Sequence, residues 1–564
     1  MLNKSMKAAL LLLISSTPVA GFPLVQIAET NPLQSYHAAS NLPLDNFKSF
    51  IESFFSSYLH KPEPSEIYID DGIQSIYHLN ETTDENFESW IDDQYELSFS
   101  RILENIGGVG TNLQNVSDGA VIASPSKSNP NYFYQWVRDA AITVNSIVEY
   151  LNDNIEDLES SYSKKLFFAI ESYIANNYKL QRLDNKSGTW ESLDSLGEPK
   201  FMPDTTTFDE HWGRPQRDGP GLRVITIINY LNFLENNDLD VLYPNLIHNA
   251  SFVYNEILKP DLTYVINKWD KDGFDLWEEI DSIHLFTSLT MLKSLKMGIK
   301  LSEAFKDYEF NLRLRTSFTA LRLYILLDSG FKVPNIPFLI ETPSLVAEAK
   351  RCGLDIGSIL ASLRAHDLDD PTDIIDIPFS VDDSSVLSTL AALVTDMKYR
   401  YPINHADGTF NKGFAIGRYP EDLYDGLGIS EGNPWFIATA TSSEVLFKLV
   451  YYLYYHNKDL VITNDQFSFY SNFISLDPNT KSEKVILPFG SDAFVDTTLS
   501  LMKYADAFLE VIQEHVDADG HMSEQFNKYT GYMEGAEDLT WSYGSFWSAV
   551  RWRKRAQWEI DHNV

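Results

Sequence analysis

Two glutamates that lie far apart in the chain have the right chemistry for acid–base catalysis. Glu278 ends the string Gly-Phe-Asp-Leu-Trp-Glu at 273–278, and Glu524 lies in His-Met-Ser-Glu-Gln-Phe at 521–526. Direct hydrolysis of a glycosidic bond needs a proton-donating carboxylic acid and a second carboxylate about 6.5–9.5 Å away, with water between them. The neighbouring indole and the adjacent Glu279 would both disfavour the ionised form of Glu278, through desolvation and like charge. Taken alone, each glutamate is more typical of an exposed acid near the start of a helix.

Three clusters that combine aromatic rings with Arg and Asp could hold a neutral polyol. They occupy residues 132–139, 212–220 and 417–422, the last followed by Gly-Asn-Pro-Trp-Phe at 432–436. Sugar sites pair flat apolar faces with charged groups that hydrogen-bond hydroxyls. A structural role remains an alternative for each cluster, because Arg–Asp neighbours often tie loops together and buried rings usually belong to the core.

The elements that would position these clusters are mainly helices. Apolar residues recur at helical spacing in stretches separated by long loops at 107–134, 184–221 and 405–432, where we expect the functional groups. No alternation of strand and helix favours a doubly wound sheet, so the sequence predicts an all-α stack or barrel of helical hairpins. The helical stretches are 47–58, 87–106, 140–151, 166–178, 222–234, 285–299, 310–327, 386–397, 435–453, 499–512 and 539–550.

Composition excludes several classes of partner. The formal net charge is −36, from 44 basic and 80 acidic residues, so nucleic acid and anionic lipid surfaces would be repelled, whereas a neutral ligand would not. The single cysteine, Cys352, cannot form an intrachain disulfide and is expected to be a small buried apolar residue. No Cys or His cluster has metal spacing and no phosphate-binding loop occurs, so we predict neither a metal nor a cofactor.

The start of the chain is typical of a secretory leader. A basic beginning, an apolar run at 10–14 that is too short to cross a bilayer, and small residues up to Gly21 predict a signal peptide over 1–21, although a buried N-terminal helix is an alternative. Residues 22–84 are interpreted as an N-terminal extension with one helix, and 85–564 as a single catalytic domain. The four glycosylation sequons, which support an extracellular or vacuolar location, begin at Asn80, Asn115, Asn185 and Asn249.

Seven strings occur in an order that resembles the fungal and yeast glucoamylases of glycoside hydrolase family 15. The resemblance covers the chain from about Gly107 to the last helix. The strings are Tyr-Phe-Tyr-Gln-Trp-x-Arg-Asp, Trp-Gly-Arg-Pro-Gln-x-Asp-Gly-Pro, Gly-Phe-Asp-Leu-Trp-Glu-Glu, Gly-Arg-Tyr-Pro-Glu-Asp, Gly-Asn-Pro-Trp-Phe, Ser-Glu-Gln-Phe and Leu-Thr-Trp-Ser-Tyr.

This resemblance implies an (α/α)6 barrel and exo-acting hydrolysis with inversion, which releases β-D-glucose from the non-reducing ends of α-1,4-linked glucans and, more slowly, from α-1,6 branches. It implies Glu278 as general acid and Glu524 as general base. It also implies the residues around the sugar: Arg138, Asp139 and Arg418 would hold the terminal glucose, Tyr132, Trp136, Trp212 and Trp541 would wall it, and Glu279 and Trp435 would contact the next unit.

The chain departs from the family pattern at its outer positions. Ile280, Asp281 and Ser282 stand where Val-Asn-Gly is common, and Met202-Pro203 where Asn-Val is common, which leaves chain-length and linkage preference open. We expect that the chain has no starch-binding module and that it is a monomer. We expect its substrate to be a soluble dextrin, glycogen or a maltooligosaccharide. Trehalose or an α-1,6 glucan remains an alternative substrate, and a catalytically idle glycan-binding protein remains an alternative class.

Overall fold

A computed structural model describes residues 66–70, 85–110, 113–405, 413–476 and 484–563. The predicted leader, the helix at 47–58 and the sequon at Asn80 lie outside the described residues. Of the predicted N-terminal extension, only residues 66–70 are described.

Twelve helices of nine or more residues dominate the described part of the chain, as the periodicity predicts. Shorter helical segments lie in the connections, notably at Pro244–Ile247, Ala250–Val253, Pro343–Ala347, Pro371–Asp376 and Phe467–Tyr470. The long helices are α1 Glu85–Glu104, α2 Val137–Asp153, α3 Ser161–Gln181, α4 Asp218–Asn236, α5 Lys259–Lys268, α6 Leu285–Ala304, α7 Tyr308–Leu327, α8 Gly357–Ala365, α9 Ser384–Arg400, α10 Phe436–Tyr455, α11 Asp492–His515 and α12 Thr540–Asn563.

The helices form two concentric layers. Helices α2, α4, α6, α8, α10 and α12 contact one another in a closed ring, and α12 returns to α2. Each outer helix packs on the inner helix that precedes it, except α1, which packs on the C-terminal α12 and so closes the sixth hairpin. The inner α10 is buried at every position from Phe436 to Tyr454, as a helix surrounded by protein must be. The predicted (α/α)6 barrel is therefore confirmed.

Two helices of the barrel, α5 and α8, escaped the periodicity analysis. Pro260 would interrupt a helix interior, but it lies in the first turn of α5, where proline is tolerated. The buried Arg223 on α4 holds Asp261 on α5 through two hydrogen bonds of 2.7 and 2.5 Å, a pairing that no local pattern shows. Helix α8 has only nine residues and is buried almost throughout, so it lacks a polar face.

Short strands fix the loops rather than form a core. The strand β7 (Lys484–Leu487) pairs with β1 (Glu66–Tyr68) in parallel and with β6 (Leu460–Ile462) antiparallel, so the described part of the N-terminal segment contributes a strand to the main domain. Three two-stranded ribbons join β2 (Gln135–Trp136) to β3 (Lys200–Phe201), β4 (Gly273–Phe274) to β5 (Asp281–Ser282), and β8 (Gln525–Phe526) to β9 (Met533–Glu534).

The expectation that Cys352 is buried is wrong. Cys352 is exposed rather than buried, because it lies in the loop that precedes α8, where its backbone N–H donates 2.8 Å to Oε1 of Glu421. No described helix combines the length and the apolar character needed to cross a membrane.

Candidate active site

A cavity of about 950 Å³ opens where the inner helices begin. The loops that enter α2, α4, α6, α8, α10 and α12 all contribute to its wall. The eleven residues that the sequence analysis placed at a sugar site all line it: Tyr132, Trp136, Arg138, Asp139, Trp212, Glu278, Glu279, Arg418, Trp435, Glu524 and Trp541. The long loops between helices therefore bring together residues as distant in sequence as Tyr132 and Trp541, as that analysis expected.

Glu278 lies in the turn between β4 and β5 rather than at the start of a helix. Its φ of 68° is in the left-handed region, which a residue other than glycine adopts only when its surroundings enforce it. Asp275 enforces it here. Its carbonyl accepts from Glu278 N at 3.0 Å, and its Oδ1 accepts from the amides of Glu279 and Ile280 at 2.7 and 2.9 Å. The turn therefore directs the adjacent side chains of Glu278 and Glu279 toward different hydrogen-bond partners.

Three N–H groups donate to the carboxylate of Glu278. Trp136 Nε1 lies 2.6 Å from Oε1, Trp212 Nε1 lies 2.6 Å from Oε2, and Arg138 Nη2 lies 3.2 Å from Oε1. Hydrogen bonds of this kind stabilise the ionised form of a carboxyl group. The indole that the sequence argument invoked is that of Trp277, whose Nε1 donates 3.0 Å to Asp355 Oδ1, so the two indole donors to Glu278 come from other loops.

Glu524 has the opposite surroundings. It is 2% exposed just before β8, and its backbone N–H donates 2.9 Å to the carbonyl of Ala536. Tyr424 OH donates 3.2 Å to Oε2 and lies 3.0 Å from the hydroxyl of Tyr132. Burial raises the pKa of Glu524 to about 7, although the positive charge of Arg418 and the tyrosine hydroxyls oppose the rise.

The two acids share the cavity without contacting each other. In the described chain no hydrogen bond joins their carboxyl groups, and each has its own set of donors. Tyr132 is close to the donors of both acids, because its hydroxyl contacts that of Tyr424 and its ring centroid is 5.4 Å from that of Trp136.

Arg138 connects the first turn of α2 to the floor of the cavity. It is 4% exposed, and its Nη1 donates 2.9 Å to both Gln216 Oε1 and Asp218 Oδ2. Burial raises the pKa of the adjacent Asp139 to about 6, against the effect of Arg138. Polar atoms without a hydrogen-bond partner in the described chain include Asp139 Oδ2 and the indole nitrogen of Trp541, and both belong to cavity-lining residues.

Glu279 belongs to a second polar group in the same wall. Arg418 Nη2 donates 2.8 Å to Oε1, Arg351 Nη2 donates 2.8 Å to Oε2, and the hydroxyl of Tyr419 also donates to Oε2. These donors hold the pKa of Glu279 below its usual range in spite of burial. Arg418 is in turn fixed by two hydrogen bonds to Asp422, of 2.8 and 2.6 Å. The structure therefore groups Arg418 with Glu279 rather than with Arg138.

Several residues that line the cavity, or that hold its lining residues in place, were not selected from the sequence. Asp422 stands four residues after Arg418 in a string already noted, so its ion pair could have been proposed from spacing. Tyr424, Arg351 and Lys200 gave no comparable signal, because their partners come from other loops.

Comparisons with known proteins agree with this geometry. The model for glycosyl hydrolases family 15 matches residues 98–551. A glucoamylase of Saccharomycopsis fibuligera is 39% identical over 486 residues, which cover 84% of this chain and 91% of the relative. The intracellular sporulation-specific glucoamylase of Saccharomyces cerevisiae is 35% identical over 540 residues, which cover 92% and 95%. A solved glucoamylase structure from S. fibuligera superimposes with a TM-score of 0.79 at 37% identity, and covers 86% of this chain and 99% of that one.

The (α/α)6 barrel with two acids and many rings in one cavity defines a glycoside hydrolase. The chain belongs to glycosyl hydrolase family 15. Within that family its activity is that of a glucoamylase, a starch-degrading hydrolase.

Proposed function

We propose that this glucoamylase acts from the non-reducing ends of α-1,4-linked glucans, and more slowly on α-1,6 branches, and releases β-D-glucose with inversion. Glu278 donates a proton to the glycosidic oxygen as the C–O bond breaks. Glu524 accepts a proton from the water that attacks the anomeric carbon from the opposite face. The observation that carries this proposal is that both acids line one cavity, each with separate donors and no direct contact between them.

The surroundings of the two acids add a constraint on their protonation. Burial favours a proton on Glu524, whereas the proposed reaction needs the proton on Glu278 and an ionised Glu524. The two states hold the same number of protons, so the rate still follows a bell-shaped pH profile and the pair titrates as a unit.

A choice of leaving group separates the two roles. Glu278→Gln and Glu524→Gln should each lower kcat on maltotriose by about 10²–10⁴-fold. α-D-Glucosyl fluoride needs no proton on its leaving group, so Glu278→Gln should hydrolyse it at near wild-type rate while Glu524→Gln should not. The opposite pattern would exchange the roles, and near wild-type turnover of maltotriose by either variant would refute the assignment.

Proton NMR of fresh digests tests the remaining parts of the proposal. We expect the β anomer of glucose to appear first from maltotriose, with maltose as the other initial product. Initial α-glucose would contradict inversion, and cleavage of trehalose in preference to maltose would contradict the substrate class.

We further propose that the leader directs the chain into the secretory pathway and that the mature protein is a monomer. Asn115 and Asn249 are exposed, whereas Asn185 Nδ2 donates to the carbonyls of Leu183 and Ser195 at 3.3 and 2.9 Å. Attachment of a glycan at Asn185 would remove at least one of these bonds, so we expect glycans at the other two sites. Peptide mass spectrometry after enzymatic deglycosylation of the secreted protein checks this, and N-terminal sequencing locates the cleavage site.

A further inference from the structure

Lys200 is a buried cation inside an aromatic cage. It lies on β3, where it is the register partner of Trp136 on β2, and it is only 2% exposed. Its ammonium lies 3.5 Å from the ring centroid of Trp212, 4.1 Å from Tyr134, 4.3 Å from Phe208 and 4.4 Å from Trp136. In the described part of the chain no carboxylate is within ion-pair distance of it, so the four rings replace the usual counter-ion.

Two of the cage rings are the indoles that hold Glu278. Trp136 and Trp212 present their faces to Lys200 and their N–H groups to opposite oxygens of the same carboxylate. A cation at the face of an indole withdraws electron density from the ring, which makes its N–H a stronger donor. The cage therefore couples a positive charge to the acid through two rings, each in contact with both.

We infer that Lys200 is a positioning residue for the proposed general acid: its ammonium orients and polarises Trp136 and Trp212, and so stabilises Glu278 in the ionised form. That form is generated when the proton leaves Glu278 for the glycosidic oxygen. The inference rests on the proposed function, because it gives Lys200 a role only if Glu278 is the proton donor. Lys200 does not line the cavity and does not touch substrate in this role.

The charge state of Lys200 fits this role. Burial lowers the pKa of the ammonium to about 8, and the negative field of Glu278 and Glu210 acts against that effect while Arg214 reinforces it. Lys200 is therefore protonated at the acidic and neutral pH at which the pair of glutamates works. The groups that interact with Glu278 from the other packed elements are Arg138 and Asp139 on α2 and Tyr132, and Asp218 on α4 pairs with Arg138.

Substitution of Lys200 tests the role through the pH profile of kcat/KM. Lys200→Met keeps the length of the side chain but removes the charge, and we expect the acidic limb to move up by about 0.5–1 pH unit, the size of one or two cation–π interactions. Lys200→Arg keeps the charge and should leave that limb in place. A purely structural lysine would lower activity and stability without moving the limb.

A thermodynamic cycle with Glu278→Gln provides a second readout that does not need activity. If the ammonium acts on the ionised carboxylate, Lys200→Met should lower the free energy of unfolding less in the Glu278→Gln background than in the wild type. If Lys200→Met does not fold, Phe208→Leu opens the cage to water while it keeps the charge, and should shift the acidic limb in the same direction by a smaller amount.

An unmoved acidic limb in Lys200→Met, or equal shifts in Lys200→Met and Lys200→Arg, would overturn the inference. With Lys200→Met unfolded, an unmoved limb in Phe208→Leu would do the same. These results leave the role of Glu278 intact as long as Glu278→Gln loses activity on maltotriose. Retained activity in Glu278→Gln would instead remove the proposed acid, and the inference about Lys200 with it.

Discussion

The indole nitrogen of Trp212 lies 2.6 Å from Oε2 of Glu278, across 66 residues of sequence. The loop that carries Trp212 enters α4, and the turn that carries Glu278 enters α6, so neighbouring inner helices of the barrel position donor and acceptor. The position of the acid in the cavity thus depends on the packing of two hairpins.

Trp212→Phe keeps the ring but removes this donor. We expect kcat on maltotriose to fall about tenfold to a hundredfold, because a hydrogen bond to a charged group contributes about 1.5–3 kcal/mol. Trp558→Phe is the matched control, since Trp558 is 56% exposed on α12. Equal effects of the two substitutions on kcat would show that the donor to Glu278 is not needed.

The fold was largely predictable because helical periodicity and short connections leave few arrangements for a mainly helical chain. The two helices that the sequence analysis missed, α5 and α8, depend on contacts between distant segments. Helix α8 is buried almost throughout and so has no amphipathic pattern, and α5 depends on the pairing of Asp261 with Arg223.

The residues of the cavity were predictable from the strings that resemble the family, but their partners were not. Lys200 stands between a proline and a phenylalanine, and the nearest acid in the sequence, Glu198, pairs with Arg214 instead. The role of Lys200 emerges only when four rings from other segments surround it. The two indole donors to Glu278 were likewise not predicted, because the sequence argument considered only the adjacent Trp277, whose N–H donates to Asp355 instead.

Arg351 lines the cavity and donates 2.8 Å to Glu279, and among the described residues no hydrogen bond or ion pair joins it to Glu278. If Glu279 contacts the sugar next to the cleaved bond, Arg351→Met should raise KM for maltotriose severalfold, for a loss of about 1 kcal/mol, with little change in kcat. Arg313→Met on the outer α7 should leave both constants unchanged. A fall in kcat at constant KM in Arg351→Met would contradict this division between binding and chemistry.

The buried Asp355, outside the proposed catalytic pair, predicts a pH dependence of stability. Burial raises its pKa from 3.8 to about 7, with a contribution from Asp275, while Gly357 N–H, the indole of Trp277 and Arg351 oppose the rise. Between about pH 4 and pH 7 the folded state holds a proton that the unfolded state has lost, so this contribution to stability is present below pH 4 and is lost as pH rises to 7.

In Asp355→Asn the free energy of unfolding should therefore fall less between pH 4 and pH 7 than it does in the wild type. The amide oxygen can still accept from Gly357 N and Trp277 Nε1, which both donate to Oδ1. Urea unfolding at the two pH values measures the difference, and Asp496→Asn at an exposed position of α11 is the control. A pH dependence in Asp355→Asn equal to that of the wild type would show that this acid ionises normally in the folded state.

The raised pKa of Glu524 predicts the upper limb of the activity profile. The reactive enzyme holds one proton on the pair Glu278 and Glu524, so kcat/KM should fall at high pH when this last proton leaves. The apparent pKa of this upper limb should be near 7, the value for Glu524. Tyr424→Phe removes a hydroxyl that donates to Oε2 of Glu524 and thereby supports its charged form, so the upper limb should move to higher pH. Tyr532→Phe, at an exposed tyrosine, should leave it in place. An upper limb that does not respond to Tyr424→Phe would mean that a group other than Glu524 sets it.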